Sequence, residues 1–404
     1  MENYAAIILI LSVGLGLFDM LTDRWKVLQR QLFPIILIAL YVLFVIRYYY
    51  GPDISMYVPH YENIPRPSYL LSHPEATTFE FGYNLFCSIL RWNGVSYWGM
   101  TAIITTLYFG AITLLLRPLP KRQIFALATI IMFDCNLIFH ENRQCLAVTC
   151  FIFMVLLLQK RKYILALVLG ILTVLMHKSG FLPVTLLLMG TLLYNKRQDS
   201  TVYALLTFLL ILMVVFPVQR ISSSVLQLIP LPTEYLFSIK HHLQLGRQVQ
   251  VIVVLYLMVL FAINMFLHYG KKTRNTWIAL VVLIGVICIV LLYQYFYLLN
   301  RIRSFFVPFI VCYIIHLLGD EERSLVVPYS SLIKQSIMVI ILAYYTHSAI
   351  SLEKGSRLLH VPVYKMSTVF ELRHASQKQI RDKQMEMAYK YWTQDFMKGG
   401  DNKL

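Results

Sequence analysis

The chain has 404 residues, of which 58% are hydrophobic and only 14% are charged, and its mean hydropathy is +0.64. Soluble domains carry roughly 25% charged residues, so this composition excludes an ordinary water-soluble globule. The net charge of +16 comes from short basic clusters between apolar runs. That distribution is typical of membrane topology signals and argues against a nucleic-acid-binding domain, which would carry a continuous basic face.

Apolar runs of membrane-spanning length recur along the chain. About 20 apolar residues cross the roughly 30 Å hydrocarbon core of a bilayer, and the runs lack period-two alternation, so we predict helices. Residues 1–350 are predicted to form an all-α, polytopic transmembrane domain of about twelve spans. The predicted spans are residues 4–20, 32–48, 96–116, 123–139, 144–159, 162–177, 180–194, 201–218, 248–268, 276–298, 301–318 and 330–350.

Short basic loops predict the orientation of these spans. The basic loops fall on one side if the spans alternate, and the positive-inside rule makes that side cytoplasmic. They are residues 23–30, 117–122, 159–162, 195–197 and 271–274. Both chain ends are then outside, and residues 351–404 form an extramembrane tail on that side.

Two outside segments are long enough to cover a site. Residues 49–95 include the aromatic stretch TFEFGYNLFCSILRWNG, whose amphipathic pattern predicts a short helix lying in the membrane interface. Residues 219–247 mix polar and apolar side chains without a clear period, and we predict a lid there.

The stretch RYYYGPDISMY follows the second predicted span and carries the first unusual charges. Arg47 is either an arginine that reaches out to the lipid headgroups or a functional cation. Asp53 follows a Gly-Pro turn and is either an ordinary turn carboxylate or a functional group held at the membrane surface. The tyrosines at positions 48–50 are typical of an interfacial aromatic belt.

A carboxylate and an arginine mark two further outside positions. Glu80 stands between two phenylalanines and is either solvated on an interfacial helix or desolvated, and desolvation would raise its pKa and fit it for acid–base work. Arg143 lies in FHENRQCLA at the expected start of the fifth span, where the helix dipole and the guanidinium fork favour an oxyanion. A small solvated turn with His140 and Glu141 is the alternative.

Two more outside connections carry charged or titratable groups. His177 and Lys178 form the tight connection LMHKSGF, in which His177 is either a hydrogen-bonded structural residue or a functional group. Arg301 and Arg303 in LLNRIRSFF are predicted to occupy a short outside turn. Two arginines in such a turn run against the positive-inside rule, which indicates an anionic partner.

Together these residues place several cations and titratable groups on one outer face. Cationic groups around titratable ones indicate a site that binds phosphate or pyrophosphate and handles a proton. In a protein with many spans, a lipid-linked phosphate is the expected substrate. The cations are Arg47, Arg143, Lys178, Arg301 and Arg303, and the titratable groups are Asp53, Glu80 and His177.

The order of these motifs resembles the EpsG-type family of Wzy-like polysaccharide polymerases. The pattern consists of R…GPD…Y, FEFGYNLF, NRQCLA, MHKSGF, NRIRSFF and VPVY at 361–364, and it covers nearly the whole chain. The family usually has a small residue, often Thr, where Pro52 stands. The resemblance implies a GT-C-type glycosyltransferase of the bacterial inner membrane. Such enzymes join oligosaccharide repeat units carried on undecaprenyl pyrophosphate at the periplasmic face, for capsule, exopolysaccharide or O-antigen.

Under this resemblance the cations would stabilise the leaving pyrophosphate, with Arg143, Arg301 and Arg303 as the first choices. The partners would be a lipid-linked donor and acceptor, the membrane lipid and a chain-length regulator. The sequence has no metal-ligand spacing such as His-x-x-x-His, so we expect a reaction that needs neither metal nor cofactor.

The acceptor hydroxyl would be oriented or deprotonated by Asp53, Glu80 or His177, with Asp53 first because its Gly-Pro turn holds it at the surface. A structural ion pair between Arg47 and Asp53 is the competing interpretation. A flippase for lipid-linked sugars is the main alternative function, although such transporters tend to carry charges at the bilayer midplane and inverted repeats. An acyltransferase would rest on His177 alone.

Overall fold

The computed structural model describes residues 4–21, 26–48, 53–75, 79–119, 121–139, 141–196, 274–292, 296–319 and 367–368, together with Asp382 and Glu386. The regular secondary structure of the described ranges is helical, apart from one two-residue strand pair. The chain divides into two compact units. The first comprises residues 1–149, 175–177 and 318–404, and the second comprises residues 150–174 and 178–317.

The first unit contains the N-terminal helices and the strand pair. Its helices are α1 (Tyr4–Leu21), α2 (Lys26–Val45), α3 (Ile54–Asn63), α4 (Pro67–Ser72), α5 (Phe81–Trp92), α6 (Tyr97–Leu116), α7 (Gln123–Phe133), α8 (Cys135–Phe139) and the start of α9 (Asn142–Gln159). Its strands are β1 (Arg47–Tyr48) and β2 (Ser367–Thr368).

The second unit contains the remainder of α9 and most of α10 (Tyr163–Met176). It continues with a single 3₁₀ turn (Lys178–Gly180), α11 (Phe181–Lys196), α12 (Arg274–Leu292) and most of α13 (Phe296–Gly319). In this unit Phe151 packs edge-on against Phe305 and Phe306, with ring centroids 5.4 and 5.5 Å apart. Helix α11 packs against α12.

Helices of membrane-spanning length confirm the predicted helical membrane architecture. Val27–Val45, Tyr97–Leu116 and Asn142–Gln159 are each long and apolar enough to cross a bilayer. Several shorter apolar helices accompany them, among them Tyr163–Met176 and Gln123–Phe133. The predicted spans 201–218, 248–268 and 330–350 and the predicted lid 219–247 lie outside the described residues, so the number of spans stays a prediction.

The predicted span 123–139 is divided at Asp134 into α7 and α8. Asp134 leaves helical geometry, with φ −102° and ψ 16°, and its buried carboxylate accepts a hydrogen bond of 2.9 Å from the Tyr108 hydroxyl. Aspartate is a poor helix former because its side chain competes for hydrogen bonds with the backbone. The break therefore follows from a polar contact inside the unit.

The predicted outside turn that holds Arg301 and Arg303 is wrong. Helix α13 begins at Phe296 and continues through both arginines to Gly319. The segment LLNRIRSFF contains neither glycine nor proline, and arginine is a good helix former. The two charges led to the prediction of a loop, but no residue of this segment strongly disfavours a helix.

The short helix predicted within residues 49–95 is confirmed as α5 (Phe81–Trp92). Its buried side includes Tyr83, Asn84 and Cys87. A Cβ atom added to Gly82 would lie 2.7 Å from the Leu175 Cβ and 2.9 Å from the Leu175 carbonyl oxygen. Only a glycine permits this approach, which brings the start of α5 against the end of α10.

Strand β2 returns the C-terminal segment of the chain to the end of α2. The two strands are antiparallel, with Arg47 opposite Thr368 and Tyr48 opposite Ser367. Ser367 and Thr368 therefore lie at the same end of α2 as Arg47. The orientation derived from the basic loops likewise places Arg47 and the tail on one side.

Candidate functional site

Arg47 lies just beyond α2 with its side chain only 3% exposed. Its Nη1 donates to the Phe44 carbonyl oxygen and, at 3.0 Å, to the Thr105 hydroxyl, and its Nη2 donates to Asn142 Oδ1 at 3.4 Å. These three acceptors are neutral, and no carboxylate of the described residues forms an ion pair with Arg47. The guanidinium is thus enclosed by protein, which contradicts the interpretation that Arg47 reaches out to the lipid headgroups.

A buried charge without a counter-ion is energetically costly, because a guanidinium loses its hydration and receives only dipoles in return. Consistently, burial lowers the pKa of Arg47 from its ordinary value. The guanidinium also borders a small pocket with an aromatic wall. We call this the Arg47 pocket; its lining residues are Arg47, Ile54, Tyr97, Trp98, Thr101, Phe139 and Asn142.

Arg143 and Glu80 form an ion pair in the same unit. Arg143 Nη1 lies 2.6 Å from Glu80 Oε2, and the two side chains are 18% and 14% exposed. Arg143 Nε also donates to the Tyr57 hydroxyl at 3.1 Å. The guanidinium lies over the ring of Phe79, 4.1 Å from its centroid. Among the described residues, therefore, Arg143 has a carboxylate that balances its charge and Arg47 has none.

Each partner of this ion pair lies at a helix start. Arg143 is the second residue of α9, as the sequence predicted, and Glu80 directly precedes α5. Glu80 accepts no capping hydrogen bond from its own helix, which leaves the carboxylate directed to Arg143. We call Tyr57, Phe79, Glu80 and Arg143 the Glu80–Arg143 cluster.

The sequence left open whether Glu80 is solvated or is desolvated with a raised pKa, and the structure gives it a lowered pKa. Burial alone would raise the pKa of this carboxyl, but the charge of Arg143 and the electrostatic effect of His177 lower it, and the net shift is downward. Glu80 is therefore a carboxylate at neutral pH. It can accept a proton or a hydrogen bond, whereas the role of a protonated acid is disfavoured.

Asn142 connects the Arg47 pocket with the Glu80–Arg143 cluster. Its Oδ1 accepts from Arg47, its Nδ2 donates to the Tyr97 hydroxyl at 3.0 Å, and Arg143 is the next residue of the chain. Sequence reasoning identified Asn142 only as the start of a span. Its place directly before Arg143 in the motif NRQCLA was the signal available, because an amide can accept from one group and donate to another.

Asp53 precedes α3 and is half-buried. Its carbonyl oxygen accepts from the Tyr57 backbone N–H at 3.0 Å, in the first turn of the helix. Burial raises the pKa of the Tyr57 hydroxyl, Arg143 opposes this, and the charge of Asp53 adds to it. Asp53 is thus close enough to the Glu80–Arg143 cluster to act on it electrostatically. Its Gly-Pro turn lies outside the described residues.

His177 follows α10 and is 3% exposed. It acts electrostatically on Glu80, which agrees with the contact that Gly82 allows between α5 and the end of α10. The structure thus places Arg47, Asp53, Glu80, Arg143 and His177 in one compact unit.

The other predicted cations belong to the second unit. Lys178 is exposed at the start of the 3₁₀ turn, and Arg301 and Arg303 are half-buried in α13. Arg303 Nε is buried and has no hydrogen-bond partner among the described residues. That these three cations share a site with Arg47 and Arg143 stays a prediction.

His60 is a neighbour of the cluster that sequence reasoning missed. Its ring packs on Phe79, with centroids 4.4 Å apart, and more loosely on Tyr83, at 6.4 Å. Burial lowers the pKa of His60 to about 4, so the imidazole is neutral at physiological pH. A histidine on an aromatic surface carried no distinguishing pattern in the sequence.

Comparison with known proteins decides the family of the chain. The family model described as the EpsG family matches residues 31–359. The chain belongs to the EpsG family. A comparison with curated proteins and one with solved structures gave no match.

Membership of the EpsG family indicates a polymerase-type function in polysaccharide biosynthesis, and together with the apolar helices it identifies a membrane protein. The Arg47 pocket and the Glu80–Arg143 cluster both lie inside the matched residues. Strand β2 lies beyond them.

Proposed function

We propose that this EpsG-family protein is a polysaccharide polymerase that joins oligosaccharide repeat units carried on undecaprenyl pyrophosphate. In this proposal the reaction occurs at the periplasmic face of the bacterial cytoplasmic membrane, in a GT-C-type site without metal or cofactor. The products are capsule, exopolysaccharide or O-antigen chains. A chain-length regulator would act on the same complex.

The observation that carries the proposal is the buried Arg47, whose described partners are all neutral. An anion in the Arg47 pocket would supply the counter-charge that no carboxylate of the described residues supplies. The pocket is small in this structure and would have to widen to admit a ligand, and its aromatic wall would then face the non-polar part of a ligand whose other part is charged. A pyrophosphate joined to a prenyl chain and a sugar has this combination of properties.

The bond changes follow from the substrate. The acceptor hydroxyl oxygen forms a bond to the anomeric carbon of the donor, and the bond from that carbon to the pyrophosphate oxygen breaks. The lipid pyrophosphate leaves with the bonding electrons, and the hydroxyl proton passes to a base. Arg47 would stabilise the negative charge that develops on the leaving group.

Three groups remain candidates for the base, namely Asp53, Glu80 and His177. Glu80 is ionised, but the nearby Arg143 makes it a weak base, so orienting acceptor hydroxyls suits it better than removing their protons. Asp53 stays our first choice, because it lies beside Tyr57 at the half-buried start of α3.

A flippase for lipid-linked oligosaccharides would also need a cationic pocket, and reconstitution separates the two functions. Purified protein in vesicles, given only lipid pyrophosphate-linked repeat units, should produce polymer and free lipid pyrophosphate. The yield should be unchanged by a metal chelator. Movement of intact repeat units across the bilayer without any new glycosidic bond would identify a flippase and refute the polymerase.

A further inference from the structure

The Arg47 pocket depends on a segment of the chain that the EpsG family model does not cover. That model ends at residue 359, whereas β2 consists of Ser367 and Thr368. The partner of β2 is β1, and β1 contains Arg47 itself. A C-terminal segment beyond the matched residues thus forms backbone pairs with the residue that carries the pocket's charge.

The pairing matters because of where β1 lies. The last helical hydrogen bond before it runs from the Ile46 N–H to the Val42 carbonyl oxygen, at 3.0 Å. Beyond α2, the backbone of Arg47 is held by its antiparallel pairing with Thr368. The guanidinium must meet Phe44, Thr105 and Asn142 simultaneously, so a displaced backbone would disturb all three hydrogen bonds.

We propose that β2 is a positioning element of the anion site, which holds the Arg47 backbone so that its guanidinium is pre-organised in the pocket. The C-terminal segment thereby sets the affinity for the phosphorylated group. Pre-organisation strengthens binding because the site does not lose conformational freedom when the ligand arrives. The identity of the anion as a pyrophosphate rests on the proposed function, whereas the positioning of Arg47 by β2 does not.

Proline substitution tests the pairing in the full-length chain. Ser367→Pro with Thr368→Pro removes both backbone N–H groups of β2, one of which points at β1, because hydrogen-bonded and non-hydrogen-bonded pairs alternate in an antiparallel ladder. The matched control, Ser367→Ala with Thr368→Ala, removes the same hydroxyls and keeps both N–H groups. Only the proline variant should behave as a chain without β2.

The first readout follows the backbone without any ligand. Hydrogen–deuterium exchange of a peptide covering residues 44–48 should be faster in the proline variant than in the alanine control, because backbone groups released from β2 exchange with solvent. Equal exchange rates in the two variants would overturn the proposal.

The second readout is binding of inorganic pyrophosphate to the purified protein. Losing one or two backbone hydrogen bonds at a positioned arginine should weaken binding by about tenfold in the proline variant, while the alanine control binds like the original chain. In an Arg47→Ala background the prolines should have no further effect, because the residue through which β2 acts is then absent. If the prolines weaken pyrophosphate binding equally in the original chain and in the Arg47→Ala background, β2 does not act through Arg47, and the proposal is overturned.

The two readouts separate two kinds of failure. If the proline variant exchanges faster but the original chain binds no pyrophosphate, the proposed substrate is wrong and the positioning of Arg47 stands. If the original chain binds pyrophosphate and the proline variant binds it equally well, the proposed function stands and the role of β2 is wrong.

Discussion

Two arginines that look alike in the sequence have different surroundings in the structure. Arg143 shares its charge with Glu80, and Arg47 has only neutral acceptors among the described residues. Sequence reasoning ranked Arg143 above Arg47 as the pyrophosphate ligand. The geometry favours the opposite order, because an arginine already paired with a carboxylate is less available to a second anion.

Breaking the Glu80–Arg143 pair should destabilise the protein. Glu80→Gln keeps the shape of the side chain and leaves Arg143 without its counter-charge, which should lower the free energy of unfolding by about 1–3 kcal/mol. Thermal unfolding in detergent measures this, with Glu75→Gln, at an exposed position, as the control. Equal unfolding temperatures for the two variants would show that the Glu80–Arg143 ion pair does not stabilise the protein.

The same variant should respond to pH in a defined direction. Because the folded-state pKa of Glu80 lies below its ordinary value of 4.5, its stabilisation is complete above pH 4.5 and is lost as the pH falls through the lowered pKa. The stability difference between the original chain and Glu80→Gln should therefore be largest at neutral pH and shrink in acid. A difference that grows on acidification would show that the pKa of Glu80 is raised.

The ion-pair and hydrogen-bond partners of individual residues were the least predictable part of the site. That Arg143 begins a helix follows from the apolar run after it, but its ion pair joins residues 63 positions apart. Likewise Arg47 meets Thr105 and Asn142, which lie 58 and 95 positions away. Contacts of this range are decided by how the helices pack, and a single sequence carries no direct record of that packing.

At the scale of elements, one glycine sets the position of α5. Gly82 lies so close to Leu175 that an added Cβ would meet both its side chain and its backbone. Backbone atoms cannot give way as a flexible side chain would. The start of α5, and with it Glu80, consequently depends on the absence of a side chain at position 82.

Gly82→Ala should displace α5 and pull Glu80 away from Arg143. We expect lower thermal stability and reduced polymer formation. Gly110→Ala is the matched control, since nothing lies within 4 Å of a Cβ added there and alanine favours the helix by about 1 kcal/mol. If both alanines raise the unfolding temperature, the close approach at position 82 is not required.

Helices with long apolar runs were predictable, and their ends were less so. The predicted spans 4–20 and 96–116 agree closely with α1 (Tyr4–Leu21) and α6 (Tyr97–Leu116). Errors arose where charge was taken as a sign of a loop, as in α13, and where a buried aspartate ended a helix early, as at Asp134. Both kinds of error concern side chains whose surroundings are set only when the protein folds.

At the scale of the whole molecule, cysteine labelling can test the predicted membrane topology. Cysteines introduced at exposed positions should react with an impermeant thiol reagent from outside at Glu75, Lys178 and Asp382. A cysteine at Lys160, in a predicted cytoplasmic loop, should react only after the membrane is permeabilised. Labelling of Lys160→Cys in intact cells, or protection of the other three, would refute the predicted orientation.

In the proposed polymerase, Arg47 is the cation that receives the lipid pyrophosphate. The most direct measurement is the lipid-linked glycan pool in cells whose only copy of the protein carries Arg47→Ala, compared with Arg117→Ala, at an exposed arginine. With Arg47→Ala, single repeat units should accumulate on the lipid at the periplasmic face and polymer should be lost, while Arg117→Ala makes polymer of normal length. Normal polymer with Arg47→Ala, or repeat units held at the cytoplasmic face, would contradict the account.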